Sequence, residues 1–145
     1  MNYNKLAEEL ISHMAQVRAS KPQRLIDELI HGEAHLLIFL ERQTCNHCNP
    51  GEISSHMHIS TARVATVLNS LEKKNLITRQ IDTNNRRQII VEITEEGIKT
   101  AKTYQKELLQ MASKTLELLG EDDAKEYVRI TKKLARVLKE NKDNI

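Results

Sequence analysis

The reading of this chain turns on Ile59-Ser60-Thr61-Ala62-Arg63-Val64-Ala65-Thr66-Val67-Leu68-Asn69-Ser70-Leu71-Glu72-Lys73-Lys74-Asn75 and the Leu76-Ile77-Thr78-Arg79-Gln80-Ile81 that follows it. Ser60 is a helix-capping residue and Asn75 tolerates the left-handed backbone that ends a helix, so the pattern predicts a helix over 61–74. Val64, Val67, Leu68 and Leu71 share one face of it. Ala62, Thr66, Asn69 and Lys73 fall opposite, flanked by Arg63 and Ser70. The periodicity then changes. Ile77, Arg79 and Ile81 alternate with Thr78, Gln80 and Asp82, and Ile89, Val91 and Ile93 alternate with Ile90, Glu92 and Thr94. These are two strands joined by the polar turn Thr83-Asn84-Asn85-Arg86-Arg87, and a hairpin this small must pack on helices to persist.

Working outward, Thr44 to Gly51 is a loop by composition whose end starts a helix. Asn49 suits the N-cap, Pro50 the first helical position and Glu52 the reciprocal place in a capping box. That helix is short, because His58-Ile59-Ser60 breaks it. Upstream, Glu33 to about Arg42 carries Leu36, Leu37, Phe39 and Leu40, apolar on nearly all sides and therefore core. Leu6, Leu10, Met14 and Val17 mark an amphipathic helix from about Asn4 to Ala19. Leu25, Ile26, Leu29 and Ile30 mark a second, between Pro22 and Gly32. Downstream, Ile98, Ala101, Tyr104, Leu108, Met111, Thr115 and Leu119 stripe a long helix that Gly120 ends. A last helix opens on Glu121, Asp122 and Asp123 and carries Tyr127, Ile130, Thr131, Leu134 and Leu138.

A chain of 145 residues, 39% hydrophobic and 3% aromatic, with four Gly and two Pro, fits one mainly helical domain with a small β-hairpin. The net charge of +2 is unremarkable, but residues 60–94 hold six basic and three acidic side chains, so the basic excess is local. The amphipathic N-terminus does not read as a signal peptide, and the longest apolar run, Leu36–Leu40, is too short to span a bilayer, so no membrane partner is expected. Two cysteines three positions apart do not make a secreted disulfide framework. The expected location is the reducing cytoplasm, in association with the nucleoid.

A short helix, a turn, a longer helix and a hairpin tipped by Arg86 and Arg87 form the winged helix-turn-helix layout. The outer face of the second helix is small and polar near its start and basic near its end, a surface that can enter a major groove, where Arg and Asn read base edges and Ser and Thr bind phosphates. Either element alone is commonly a solvated surface; the two in this order point to double-stranded DNA. Arg86 and Arg87 offer nothing to a core but suit a minor groove or a phosphate rail.

The runs Pro50-Gly51-Glu52-Ile53, Ile59 to Ala65, Leu71 to Arg79, Asp82 to Arg87 and Ile93-Thr94-Glu95-Glu96-Gly97 resemble, in order, the MarR family of bacterial transcriptional regulators. The resemblance implies a single domain over residues 1–145. Its winged helix-turn-helix spans about 33–94, with the helix-turn-helix at about 50–74 and the wing at about 77–94. It implies a homodimer formed by helices at about 4–30 and 98–140, gripping a pseudo-palindromic operator as a repressor. Ser60, Thr61, Arg63, Thr66, Asn69 and Lys73 would face DNA, and Arg79, Arg86 and Arg87 would join them from the wing. Asn75 stands where the family usually has Gly. Asn85 stands where Asp usually precedes Arg, which puts an ion pair bracing the wing in doubt. His35 lies on a helix that borders the effector pocket in this family.

Cys45-Asn46-His47-Cys48 is the most distinctive remaining chemistry. A CxxC pair with an internal His supplies two or three zinc ligands of the four that a structural site uses, and His31, His35, His56 and His58 are near in sequence. The same pair can close a local disulfide as a redox switch, and it can equally be an inert polar loop. The DNA-binding reading requires no cofactor, zinc or a thiol redox switch at Cys45 and Cys48 being the option beside it, and the effector expected is a small molecule, a metal or an oxidant. Rival functions are a helical protein-interaction module and a thiol- or metal-responsive protein without specific DNA binding. A thiol oxidoreductase would place CxxC after a strand at a helix start in an α/β pattern, which this chain lacks, so no enzyme is expected.

Overall fold

The computed structural model describes residues 1–43 and 47–142. The chain divides into two compact units, Met1–Leu108 and Leu109–Ile145. The first opens with α1 (Tyr3–Ala19), α2 (Lys21–Ile30) and α3 (Glu33–Arg42). Ser20 ends one helix and starts the next: its hydroxyl donates to the Val17 carbonyl at 2.6 Å and accepts from the Gln23 amide at 3.4 Å, with Pro22 in the first turn of α2. The core expected of α3 is present, with Ala34, Leu36, Leu37, Ile38 and Leu40 buried. No residue of α1 is buried, so its Leu6-Leu10-Met14-Val17 stripe is uncovered in the single chain.

The segment expected to be loop over Thr44–Gly51 contains a strand. β1 (His47–Cys48) pairs antiparallel with β3 (Ile89–Ile93), which pairs in turn with β2 (Ile77–Ile81), so the sheet is three-stranded in the order β1-β3-β2. Two residues are too few to show an alternating pattern; the strand exists because β3 offers a free edge. Cys48, opposite Val91, is drawn into the core by this pairing.

α4 (Pro50–Met57) starts as its sequence requires, with the Asn49 side chain accepting from the Glu52 amide at 2.9 Å and the Glu52 carboxylate accepting from the Asn49 amide at 3.3 Å. The turn into the next helix passes through His58 at φ 53°, ψ 41°, and the Ser54 hydroxyl stitches it by donating to the Ile59 carbonyl at 2.6 Å. α5 (Thr61–Lys73) is capped by Ser60, whose Oγ accepts from the Arg63 amide at 3.1 Å. Its Val64, Val67, Leu68 and Leu71 are buried against α3, α4 and β2. Each such side chain contributes about 1.5–3 kcal/mol by leaving water, which dominates the placing of this helix.

α5 ends in a Schellman arrangement. Asn75 takes φ 58°, its amide donates to the Glu72 carbonyl at 3.0 Å, and the Leu76 amide donates to the Leu71 carbonyl at 3.0 Å. The returning chain is fastened to this corner before α6 (Glu95–Leu119) begins. The Thr94 amide donates to the Leu76 carbonyl at 3.1 Å, its hydroxyl donates to the Asn75 carbonyl at 2.8 Å, and the same hydroxyl oxygen caps α6 by accepting from the Gly97 amide at 3.0 Å. Gly97 must be glycine for this approach, since a Cβ there would lie 2.1 Å from the Leu76 carbonyl oxygen and 2.7 Å from Ile93 Cγ1.

In the second unit, Gly120 turns the chain at φ 78° into α7 (Glu121–Glu140), whose first turn is acidic and which buries no residue. Tyr127, Ile130, Leu134 and Leu138 form an exposed stripe along it. Among the described residues, no helix is long and apolar enough to cross a membrane.

These corners set two expectations. Gly97→Ala should cost about 3 kcal/mol because the clash is with backbone. Asn75→Val should cost about 1–2 kcal/mol and Asn75→Gly close to nothing. Guanidinium unfolding at matched protein concentration measures all three, and a Gly97→Ala variant as stable as the parent would disprove the close approach.

Candidate nucleic-acid interface

With its apolar face buried, α5 turns the opposite side to solvent. Ser60, Thr61, Arg63, Thr66, Asn69 and Lys73 are all exposed, as the helical spacing anticipates. Their chemistry is not uniform. Ser60 spends a lone pair on the helix start but keeps its hydroxyl proton. The Thr66 hydroxyl donates back to the Ala62 carbonyl at 3.1 Å, so it turns a lone pair and a methyl group outward. Among the described residues, the Arg63 guanidinium has no ion-pair partner and is available to a ligand.

The wing is a hairpin in register from Ile77 opposite Ile93 to Ile81 opposite Ile89. Its tip is shaped by short side chains: Asp82 accepts from the Asn84 amide at 2.9 Å and Asn85 from the Arg87 amide at 3.2 Å. Asn85 thus braces the turn by capping its backbone, a service a neutral amide performs without any ion pair. The Asp82 amide donates to the Gln88 carbonyl and the Gln88 amide to the Asn85 carbonyl, both at 2.9 Å, closing the loop. Arg86 and Arg87 are exposed at its end and, among the described residues, form no ion pair. Ile81 and Ile89, both exposed, pack across the strands behind them.

Arg79 sits differently from the other cations. Its Nε donates to Glu72 Oε2 at 2.8 Å, and its Nη2 donates to Glu72 Oε1 at 3.2 Å and to Asn69 Oδ1 at 2.8 Å. This ties the last turns of α5 to β2, the strand that leads into the wing. The guanidinium holds the Glu72 carboxyl below the usual carboxylate range and the carboxylate raises Arg79 in turn, so the tie is complete at neutral pH and weakens only as acid protonates Glu72. Sequence reading passed over Glu72 and treated Arg79 as a plain DNA-facing cation. The two lie seven residues apart across a helix end, a separation that only the left-handed corner brings together.

His35, half-buried on α3, stacks against His56 of α4 with ring centroids 6.0 Å apart, and His56 stacks on Phe39 at 4.0 Å. Burial, then the positive neighbours His56, His31 and Arg42, lower its pKa, so it stays neutral further into the acid range than a free histidine. Of the Cys45-His47-Cys48 group, Cys45 and the His47 side chain lie outside the described residues. Cys48 is 4% exposed within the core cluster, and burial, with the Glu52 charge adding to it, pushes its thiol up to about 12. Among the described residues no three His, Cys, Asp or Glu side chains converge as metal ligands.

Residues 29–89 match the sequence pattern of the MarR family. Among solved structures, the chain is similar to the YusO protein of Bacillus subtilis, at 24% identity and a TM-score of 0.69 over 94% of this chain and 98% of that one. It is similar to AbsC, a MarR family transcriptional regulator from Streptomyces coelicolor, at 15% identity and a TM-score of 0.68 over 96% of both chains. It is also similar to Streptococcus pneumoniae FabT, solved in complex with DNA, at 19% identity and a TM-score of 0.66 over 96% of this chain and 99% of that one. No curated protein matches the sequence.

The environment of Cys48 has a measurable consequence. In a Cys45→Ser background, Cys48 should resist a thiol-labelling reagent near pH ~7.5 and react only after unfolding. Its ionisation favours the unfolded chain, so the stability it permits is intact below the ordinary thiol value of 9.0 and is lost as pH rises toward about 12. Cys48→Ala should flatten that alkaline decline in a pH series of melts; rapid labelling of the native protein would show the site to be open.

Proposed function

We propose that the chain is a MarR-type transcriptional repressor that binds a pseudo-palindromic operator as a homodimer, a reading supported by the match of residues 29–89 to the MarR family pattern. The observation that carries this reading is the division of labour on α5 and the wing. The apolar face of α5, Val64, Val67, Leu68 and Leu71, is buried, while Arg63, Thr66 and Asn69 on its other side and Arg86 and Arg87 at the wing tip are left exposed. Inserted in a major groove, α5 would read base edges, and the wing arginines would meet phosphate or the adjoining minor groove. The exposed Lys73 and the hydroxyls of Ser60 and Thr61 suit the flanking backbone.

The dimer is supported by two uncovered apolar stripes, Leu6-Leu10-Met14-Val17 on α1 and Tyr127-Ile130-Leu134-Leu138 on α7. Stripes of this length are rare on monomers and common at subunit interfaces. Residues 1–145 then act as one functional unit in which the terminal helices join two winged regions. Two recognition helices about 34 Å apart would meet one face of the duplex, so the operator is an inverted repeat. An effector shifts occupancy by the difference in its affinity for the DNA-compatible and DNA-incompatible dimers. His35 remains the candidate residue for an effector pocket.

Fluorescence anisotropy against a duplex from the region upstream of its own coding sequence, with an unrelated duplex as control, tests the reading. Preferred, salt-sensitive binding at two chains per site is expected. Arg87→Ala should weaken binding to both duplexes and reduce the salt slope by about one, whereas Arg63→Ala should cost about 1–3 kcal/mol on the operator alone. Leu10→Lys or Leu134→Lys should yield monomers in sedimentation and abolish operator binding. Equal, salt-insensitive affinity for the two duplexes would leave the protein-interaction reading in its place.

A further inference from the structure

Asn69 occupies the outward face of α5, yet one end of its amide is already committed. Oδ1 accepts from Arg79 Nη2 at 2.8 Å, and that guanidinium is itself held by Glu72 through Nε at 2.8 Å and Nη2 at 3.2 Å. A guanidinium has only hydrogens to offer, so it must face the oxygen of the carboxamide and not its nitrogen. The amide orientation is thereby imposed by Arg79: Oδ1 keeps one lone pair, but beside a cationic donor, and Nδ2 with its two hydrogens is the end left wholly free for a ligand.

Resting on the DNA-binding reading above, we propose that Arg79 makes Asn69 read the major groove through its Nδ2 donors, selecting guanine over adenine at the base it meets. An asparagine that recognises adenine must accept from N6 and donate to N7 at the same time. Here the N6 amino group would have to approach an oxygen that already carries a cationic donor, and would bring its own positive end beside the guanidinium. Guanine presents N7 and O6, two acceptors, to the two Nδ2 hydrogens, and the neighbouring Arg79 charge favours O6. Arg79 is in this account a positioning residue for specificity: it reads no base itself, but it determines which kind of base edge Asn69 can read. Glu72 has the same standing one step further back, since it fixes the guanidinium.

The test is selection from a randomised duplex pool by the full chain, followed by sequencing and by anisotropy on the selected sites. The parent protein should enrich guanine over adenine on the order of tenfold at one position in each half-site, and Asn69→Ala should erase that preference. Arg79→Met removes the donors at similar side-chain length and frees Oδ1, so adenine should gain at that same position. Asn69→Asp, which leaves Arg79 in place and needs no new fold, should lose the guanine preference because both its oxygens only accept. Adenine enriched by the parent at the Asn69-dependent position would overturn the inference, as would a folded Arg79→Met protein with an unchanged guanine-to-adenine ratio. A parent protein that selects no sequence at all would overturn the DNA-binding reading and this inference with it.

Discussion

The carbonyl oxygen of Leu76 is where three parts of the winged unit meet. It lies just past the left-handed residue that ends α5, accepts the backbone of the strand returning from the wing, and presses against the one residue of α6 that has no Cβ. Helix end, hairpin base and the start of the long helix are thus fixed to one another within a few ångströms. The angle at which the wing leaves α5 follows from that junction, and so does the distance between α5 and Arg86 and Arg87. A wing attached only by strand pairing would be free to rock; this one is pinned at its base by Thr94, which bonds both Asn75 and Leu76.

Much of this frame was legible in the residues. Helices announced themselves where long apolar periodicity met recognisable ends, as at Ser60 and Asn75 or at the reciprocal pair Asn49 and Glu52. The inward and outward faces of α5 followed from spacing alone, because burial on a helix is a question of angle. What escaped reading depends on contacts between segments distant in sequence. β1 is two residues long and owes its existence to the open edge of β3, so nothing within His47–Cys48 signals it. The stacking of His56 on Phe39 joins two helices and leaves no trace in the periodicity of either. Gly97 looked like part of a motif, and its physical necessity emerges only when Leu76 is placed beside it.

The candidate interface was legible in composition and less so in chemistry. Residue type shows which side chains can hydrogen-bond; it does not show which of their donors and acceptors are already spent. Thr66, Asn69 and Arg79 each commit part of their capacity inside the protein. What each offers to solvent is therefore narrower than its name suggests.

That narrowing bears on how such a domain can change over generations. No buried polar or charged side chain is found among the described residues, and none of the outward positions of α5 belongs to the core cluster. Arg63 and Thr66 can therefore be exchanged with little penalty to the scaffold, so that on the DNA-binding reading proposed above new base preferences there are mutationally cheap. Asn69 is not free in this way, because it shares a guanidinium with Glu72 at the joint that carries the wing. A change at that position also alters what the Arg79 guanidinium bonds. Descendants of this sequence should accordingly diversify more readily at the start of α5 than at its end, where a change is felt by Arg79 and Glu72 as well.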